Sequence, residues 1–399
     1  MADVFIYDAI RTPRARAKDT GGLHDLLPQD LLAALYRALE SRTSLDPGEV
    51  GEVVLGCVTQ QGEQAGNIAK TSTLYAGWPG HLSGITINRF CSSGLDAVNF
   101  AALKVGAGQD TLAIGGGVEM MSRVPMLSDQ AAVFMDPALA VRSRILMMGS
   151  GADLIATLYD VSREQADQVA VTSQQRAARA RAEGWYHSIV PIDNPVKGMT
   201  ASEDECIRPQ ATLESLGQLE PAFAKLGAMG ADAIQLKAYP ELQEIRHVHT
   251  AGNSPAMADA AAVVLVGSEA AGKKLGKAPR ARIRDAANTS DDPMLVLSGA
   301  VAATKLLMDR NGLSTDDVDL FEIHEAFAAT VVKCQRDLGI PDEKLNVNGG
   351  VIALGHPLGA TGAIMLGTLL DEMERRDVKR GIVAASGAAG GGAAMLIER

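Results

Sequence analysis

The sequence predicts an α/β protein made of two similar halves, and three observations predict it. Short apolar segments that read as strands alternate with Ala/Leu-rich segments that have the helical period. The pattern LDPGEVGEVVLGC at residues 45–57 returns as LSTDDVDLFEIHE at residues 313–325, with an acidic turn before a strand in the same register. Hydrophobic residues make up 47% of the 399 residues and charged residues 21%, which allows sizeable cores.

The elements follow the same order in both halves. A helix, DLLAALYRALE in the first half and AVAATKLLMDR in the second, precedes each repeated strand. The segments INRFCSSGLDAVNFAALKVGAG and ALGHPLGATGAIMLGTLLDEM each predict a small-residue turn before a long helix, which is apolar on most faces and which we expect to be buried between layers. The strands TLAIGGG and GIVAASG follow. Strands alternating with helices predict a mostly parallel sheet that is covered on both faces.

The two halves differ by a long insertion. The last strand of the second half, AAMLIE, has its counterpart AAAVVLVG only after a long excursion in the first half. We therefore predict an N-terminal half at residues 1–120 and 253–275, an inserted loop domain at residues 121–252 and a C-terminal half at residues 276–399. Long excursions from a compact core are often binding loops, so we expect the insertion to cover a ligand.

Composition excludes several classes of protein. The net charge of −11 argues against a general nucleic-acid-binding surface. The four cysteines, Cys57, Cys91, Cys206 and Cys334, include no C-x-x-C pair, so they predict neither a metal site nor a disulfide framework and fit a reducing compartment. The sequence has no secretory signal pattern and no stretch of about 18 uninterrupted apolar residues. We expect a cytoplasmic protein without a membrane span.

Two turns that precede the long apolar helices carry candidate reactive groups. Cys91 lies in NRFCSSG at the start of such a helix, where amide groups and the helix dipole are expected to lower the thiol pKa and produce a nucleophile. His356 lies in GHPLG at the equivalent turn of the second half, so an approximate two-fold relation brings it near Cys91 as a base or an oxyanion donor. The alternatives are a small core cysteine and a capping histidine.

Two further segments are weaker candidates. His324, in HEAF, ends the strand DLFEI, where an α/β protein binds its ligands, although a histidine at a strand end is as often structural. The terminal turn AASGAAGGGAA has Gly residues that free main-chain N–H groups to face an oxyanion. No Gly-rich segment has the P-loop pattern.

Four segments in order, NRFCSSGLDA, HEAFAA, NVNGGVIALGHPLGATG and SGAAGGGAAMLIE, resemble those of the thiolases, and the similarity covers essentially the whole chain. RTP at Arg11, DECIRPQATLESL at Asp204 and TAGNSPAMADAAA at Thr250 extend it. The resemblance implies a five-layered fold of two similar halves with an inserted loop domain, and a homodimer or homotetramer. It also implies cleavage of 3-ketoacyl-CoA by CoA, or condensation of two acetyl-CoA, through an acyl-cysteine. Coenzyme A is then a co-substrate, with no permanently bound cofactor, and a multifunctional fatty-acid-oxidation partner is an open alternative.

The resemblance also implies roles for individual residues. Cys91 would be the nucleophile and His356 its activator, while His324 would orient a water or the thioester oxygen. The main-chain N–H groups of Cys91 and Ala388 would form an oxyanion hole. Met148 matches a position that lines the CoA pocket, and Ser254, one place before the position of a CoA-contacting Ser, is the second CoA-binding candidate.

Three departures from the family pattern concern the proton relay and CoA binding. Ser386 stands where thiolases present a second cysteine that shuttles the α-proton, and a hydroxyl is a far poorer acid or base near neutral pH. Glu220 replaces a basic residue before Pro-Ala-Phe, and Pro255 replaces a CoA-contacting Ser. We include Ser386 among the candidate catalytic residues. The alternative function is a thiolase-like CoA-binding or complex subunit with weak carbon–carbon bond activity.

Overall fold

The computed structural model describes residues 2–399. The strands are β1 (Val4–Arg11), β2 (Ala15–Arg16), β3 (Glu52–Gly56), β4 (Ser83–Ile87), β5 (Leu112–Met120), β6 (Ile192–Asn194), β7 (Met199–Ala201), β8 (Ala258–Gly267), β9 (Ala281–Ser290), β10 (Leu320–Ile323), β11 (Arg380–Ser386) and β12 (Gly391–Glu398).

The helices alternate with these strands in both halves. They are α1 (Pro28–Thr43), α2 (Ile68–Tyr75), α3 (Ser93–Gly106), α4 (Ala132–Met135), α5 (Pro137–Ser143), α6 (Met148–Leu158), α7 (Arg163–Ala182), α8 (Leu213–Gly217), α9 (Ala224–Leu226), α10 (Asp232–Ala238), α11 (Glu269–Leu275), α12 (Gly299–Asn311), α13 (Ala328–Leu338), α14 (Val351–Leu354) and α15 (Thr361–Arg376).

One large sheet runs in the order β10-β11-β12-β9-β1-β8-β5-β3-β4, with β2 paired to β8. The expectation of a mostly parallel sheet is wrong. Only β3 with β4, β3 with β5, and β10 with β11 pair in parallel, whereas the pairings of β1, β8, β9 and β12 are antiparallel. The periodic pattern identified the strands, but strand direction depends on how the long connections return to the sheet, and the pattern carries no information on this.

The layers match the five-layered expectation. The long helices α3 and α15 pack against each other in the middle, α3 mainly on β5 and β3 and α15 mainly on β11, β1 and β10. Helix α1 covers the outer face of the first half, and α12 and α13 cover that of the second. A Cβ added at Gly94, in the first turn of α3, would lie 2.6 Å from the Gly359 carbonyl oxygen just before α15 and 3.1 Å from the Ala363 main-chain nitrogen on α15, so the two helices are in close contact. This contact brings the N-terminal ends of both helices together.

The segment between β5 and β8 contains α4 to α10 and the small hairpin β6–β7. Its buried Asp204 accepts two hydrogen bonds from the Arg11 guanidinium, at 2.7 and 2.8 Å, and one from the Arg14 main-chain N–H at 2.7 Å. Two of the sequence segments that extend the family resemblance are thus joined by a buried ion pair that fixes this segment to β1. No helix within residues 2–399 has both the length and the apolar character needed to cross a membrane.

Candidate active site

Cys91 lies in the turn between β4 and α3, and local hydrogen bonds fix this turn. The Asn88 side chain accepts a hydrogen bond from the Phe90 N–H at 2.8 Å, and Ser93 Oγ accepts one from the Arg89 N–H at 2.8 Å. Phe90 has a φ of +50°, an uncommon conformation for a residue with a side chain, and it turns the chain sharply just before the cysteine. The turn therefore holds the Cys91 side chain in one place.

The expected lowering of the Cys91 pKa is wrong. The thiol is only 8% exposed, and burial, followed by the charge of Glu119, raises its pKa to about 12. Desolvation of the thiolate outweighs the favourable interaction with the helix N-terminus, because Cys91 lies in the interior between the two halves. The resting group is therefore a thiol, and it needs a base to become a nucleophile.

His356 lies in the turn between α14 and α15. Gly355 precedes it with a φ of +95°, and the His356 N–H donates to the Ala256 carbonyl at 2.8 Å. Its Nδ1 is 2.7 Å from Thr361 Oγ1 at the start of α15, so the ring orientation is fixed by the next helix. Burial and then the neighbouring His324 and Arg14 lower the His356 pKa well below its usual value, so the imidazole is neutral.

His324 follows β10 directly. Its N–H donates to the Ala384 carbonyl at 2.9 Å, and its Nδ1 is 3.2 Å from the Ser386 carbonyl oxygen. The His324 and His356 rings are 4.5 Å apart between centroids. His324 is 2% exposed, and its Nε2 has no hydrogen-bond partner in the described part of the chain. Burial lowers its pKa to about 4.

Two apolar cavities meet at Cys91. The first, of about 120 Å³, is lined by Cys91, Met148, Pro255, Leu297, His324 and His356 together with seven other residues. The second, of about 230 Å³, also reaches Cys91 and is lined mainly by apolar side chains, among them Phe90, Met126, Val133, Phe134 and Leu358. Met148, the first residue of α6, lines both. The inserted segment thus covers the space beside Cys91 through Met148 and Phe134.

The Ser386 hydroxyl is engaged outside the site, although the carbonyl oxygen of the same residue is 3.2 Å from His324 Nδ1. Ser386 lies at the end of β11, and its Oγ accepts a hydrogen bond from the Ala300 N–H, 2.9 Å away near the start of α12. It lines neither of the two cavities. Ala388, two residues further along, lines the second cavity beside Cys91.

The turn that follows β11 approaches the Cys91 turn closely. A Cβ added at Gly387 would lie 2.8 Å from the Arg89 carbonyl oxygen. Ser254 lies beside the first cavity rather than in its lining, since Pro255 contributes to the lining and the Ser254 hydroxyl is buried without a partner among residues 2–399.

Glu119 is a site residue that the sequence did not indicate. This fully buried carboxylate lies near the end of β5 and accepts hydrogen bonds from the N–H groups of Val58, Thr59 and Gly359 at 2.9 to 3.0 Å, and from Gln64 Nε2 at 3.0 Å. It ties the turn after β3 to the GHPLG turn and thereby couples the two halves. The sequence feature that could have indicated it is that Glu119 is the one acidic residue in the strand LAIGGGVEM.

Glu325, the acidic residue of HEAF, joins several segments around the site by hydrogen bonds. It accepts hydrogen bonds from Ser173 Oγ at 2.7 Å, from the Ile352 N–H at 3.1 Å and from Asn346 Nδ2 at 3.2 Å. These contacts join β10, α7 and α14. No set of three or more His, Cys, Asp or Glu side chains within residues 2–399 is arranged to hold a metal ion.

Comparison with known proteins shows the family of the chain. The thiolase N-terminal domain model matches residues 4–237, and the thiolase C-terminal domain model matches residues 277–399. The 3-ketoacyl-CoA thiolases of Serratia proteamaculans and Aliivibrio fischeri are 39% and 38% identical to this chain, each over 100% of both sequences.

Among solved structures, the acetyl-CoA acetyltransferase of Bacillus anthracis is similar with a TM-score of 0.86 and 32% identity, over 100% of this chain and 99% of that one. These comparisons do not favour the alternative of a subunit with weak carbon–carbon bond activity. The chain belongs to the thiolase family, and it is a thiolase-type acyltransferase.

Proposed function

We propose that this protein cleaves 3-ketoacyl-CoA with CoA, and in the reverse direction condenses two acetyl-CoA, through an acyl group held on Cys91. One observation carries the proposal: Cys91, His356 and His324 come from three separate parts of the chain and line one apolar cavity. Covalent storage on a cysteine divides a difficult transfer into two easier steps.

The first step is proton transfer from Cys91 to His356. The thiol has a pKa of about 12 and is protonated at neutral pH, so the neutral His356 imidazole accepts its proton. The resulting thiolate attacks the keto carbon of the substrate. The hydrogen bond between His356 Nδ1 and Thr361 keeps the ring in one orientation during this transfer.

The second requirement is stabilisation of the oxyanion that forms on the attacked carbonyl. Main-chain N–H groups are suitable donors because their positions are fixed before the reaction begins. We assign this role to the N–H groups of Cys91 and Ala388. The close approach of Gly387 to the Arg89 carbonyl supports this assignment, since it holds the two turns against each other.

The two cavities support a division of the substrate between them. CoA is the co-substrate, and its thiol end would enter past Met148 and Pro255 with Ser254 nearby. The acyl chain would occupy the second cavity, whose lining includes Phe90, Phe134 and Leu358. Apolar side chains favour a hydrocarbon chain there because its burial removes apolar surface from water.

We further propose that the protein forms a homo-oligomer through β4. Within the described residues this strand pairs with β3 on one side only, which leaves its other edge open to a second chain. Ile85 on β4 is 46% exposed, and Phe100 and Leu103 on α3, the next helix along the chain, are each 42% exposed. The four cysteines are unpaired and buried, which supports the reducing environment of the cytoplasm as its location.

The test is thiolysis of acetoacetyl-CoA by free CoA, with the intact protein mass measured before CoA is added. Turnover with an acyl adduct on Cys91 is the expected result. An adduct without turnover would locate the defect at the carbon–carbon step. The absence of both would contradict the proposal and would direct attention to CoA binding, beginning with Glu220.

A further inference from the structure

The proposed reaction requires a second proton carrier. Joining or cleaving the carbon–carbon bond removes a proton from the α-carbon of acetyl-CoA or adds one to it, and this proton must pass between that carbon and the pair formed by Cys91 and His356. The residue that carries this second proton must reach the cavity beside Cys91. This requirement rests on the proposed function.

Ser386 is poorly placed for this task. Its hydroxyl already accepts the Ala300 N–H at the start of α12, and it contributes to neither cavity beside Cys91. The residue is 2% exposed, so it cannot leave this contact for the solvent without rearrangement. In this position the hydroxyl accepts a hydrogen bond from one of the free main-chain N–H groups at the N-terminus of α12.

His324 has the properties that Ser386 lacks. Its Nδ1 faces the Ser386 carbonyl oxygen at 3.2 Å, and a carbonyl oxygen only accepts, so in the neutral ring the proton is on Nδ1. The other nitrogen, Nε2, therefore carries a lone pair. Nε2 is buried without a partner among the described residues, and the ring lines the cavity that contains Cys91.

We propose that His324, and not Ser386, carries the α-proton in this enzyme. In condensation, Nε2 takes a proton from the α-carbon of acetyl-CoA, and the C–H electron pair forms the new bond to the carbonyl carbon of acetyl-Cys91. The bond between that carbon and the Cys91 sulfur breaks, and its electron pair leaves on the sulfur. The proton held on His324 then passes through His356 to the Cys91 thiolate, which restores the thiol. Thiolysis follows the same steps in reverse.

The surroundings of His324 fit a group that begins the reaction as a free base. Burial lowers its pKa to about 4, so the ring is neutral near pH 7 and its lone pair is available. The negative charge that develops on the thioester oxygen stabilises the protonated ring once the proton has moved. His356, 4.5 Å away between ring centroids, offers a route for the proton towards Cys91.

The experiment measures two events in one mixture. Protein and acetyl-CoA are combined in D₂O, Cys91 acetylation is followed by intact-protein mass, and α-proton exchange by deuterium uptake into the acetyl group. His324→Asn keeps an N–H donor that can orient an oxygen, but it has no titratable nitrogen. We expect this variant still to form the Cys91 acetyl adduct and, per acetylated protein, to lose exchange by at least about 100-fold.

Ser386→Ala provides an independent test that does not depend on the folding of the first variant. Our proposal expects exchange to continue in Ser386→Ala, whereas a relay through Ser386 requires its loss. Exchange at the wild-type rate in His324→Asn, or its loss from acetylated Ser386→Ala, would overturn the proposal. A wild-type protein that forms no Cys91 adduct would instead refute the proposed function itself, so the two failures are distinguishable.

Discussion

The two turns that precede the central helices occupy equivalent places in the two halves, but the pKa values of their reactive groups are shifted in opposite directions. The turn before α3 presents a thiol whose pKa is raised to about 12, and the turn before α15 presents an imidazole whose pKa is lowered. Both shifts have the same main cause, since burial disfavours the charged form of either group. Neither half therefore contains an activated group by itself. Reactivity arises where the halves meet, because the neutral base of one accepts the proton of the other.

The largest expected effect is on the turn before α3. Cys91→Ala removes the only group in our scheme that can hold the acyl chain, so acyl transfer should fall by about 10⁴-fold or more. Intact-protein mass after incubation with acetyl-CoA checks this. Cys334→Ala is the matched control, because Cys334 is also buried but lies on α13 in a separate hydrophobic cluster. An acetyl adduct that persists in Cys91→Ala would contradict the assignment.

The next effect concerns the turn before α15. His356→Ala removes the base, and we expect acetylation of Cys91 to slow by about 10²- to 10⁴-fold at neutral pH. Because the thiolate fraction of a thiol with a pKa of about 12 rises about tenfold per pH unit below that value, the variant should recover as the pH is raised from about 7 to 9. The wild-type protein should change little over this range, since His356 is already neutral.

The control for that variant is His187→Ala, which removes an exposed histidine away from the two cavities. It should acetylate at the wild-type rate. If the rate of His356→Ala were independent of pH, another group would be taking the thiol proton.

A smaller effect tests the contact that orients the imidazole in the turn before α15. Thr361→Val removes the hydroxyl 2.7 Å from His356 Nδ1 while keeping a similar volume. Loss of one buried hydrogen bond should slow Cys91 acetylation by about tenfold. Thr361→Ser keeps the hydroxyl and should keep the rate, so equal rates in the two variants would show that this contact does not orient the ring.

The smallest effect concerns the contact that brings the turns together. A Cβ added at Gly362 would lie 2.6 Å from the Leu95 main-chain nitrogen, whereas one added at Gly367 on the same helix would meet no atom closer than 3.5 Å. Gly362→Ala should lower the free energy of unfolding by about 1–3 kcal/mol. Gly367→Ala should raise it by up to about 1 kcal/mol, because alanine is the better helix former. Chemical denaturation of both variants measures the difference, and equal stabilities would contradict a tight crossing of α3 and α15.

The strands, the helices and the two-fold repeat were predictable because each depends on a local period. The repeat at residues 45–57 and 313–325 produces β3 and β10 as expected, and both apolar helices are buried in the middle layer. The placement of Cys91 and His356 at equivalent turns followed from this repeat, which predicted that they lie near each other, and both line one cavity. The domain boundaries and the catalytic roles remain predictions that the experiments above address.

The sequence by itself determined which groups are present and near which turns they lie, because hydrophobic period and turn composition act over a few residues. Only the tertiary structure decided their chemical states. The raised pKa of Cys91, the binding of Glu119 to both halves and the position of the Ser386 hydroxyl at α12 all depend on contacts between residues far apart in the chain. Desolvation and hydrogen bonding are properties of these assembled surroundings, and for this reason the thiol is a weak acid here although it lies at a helix N-terminus.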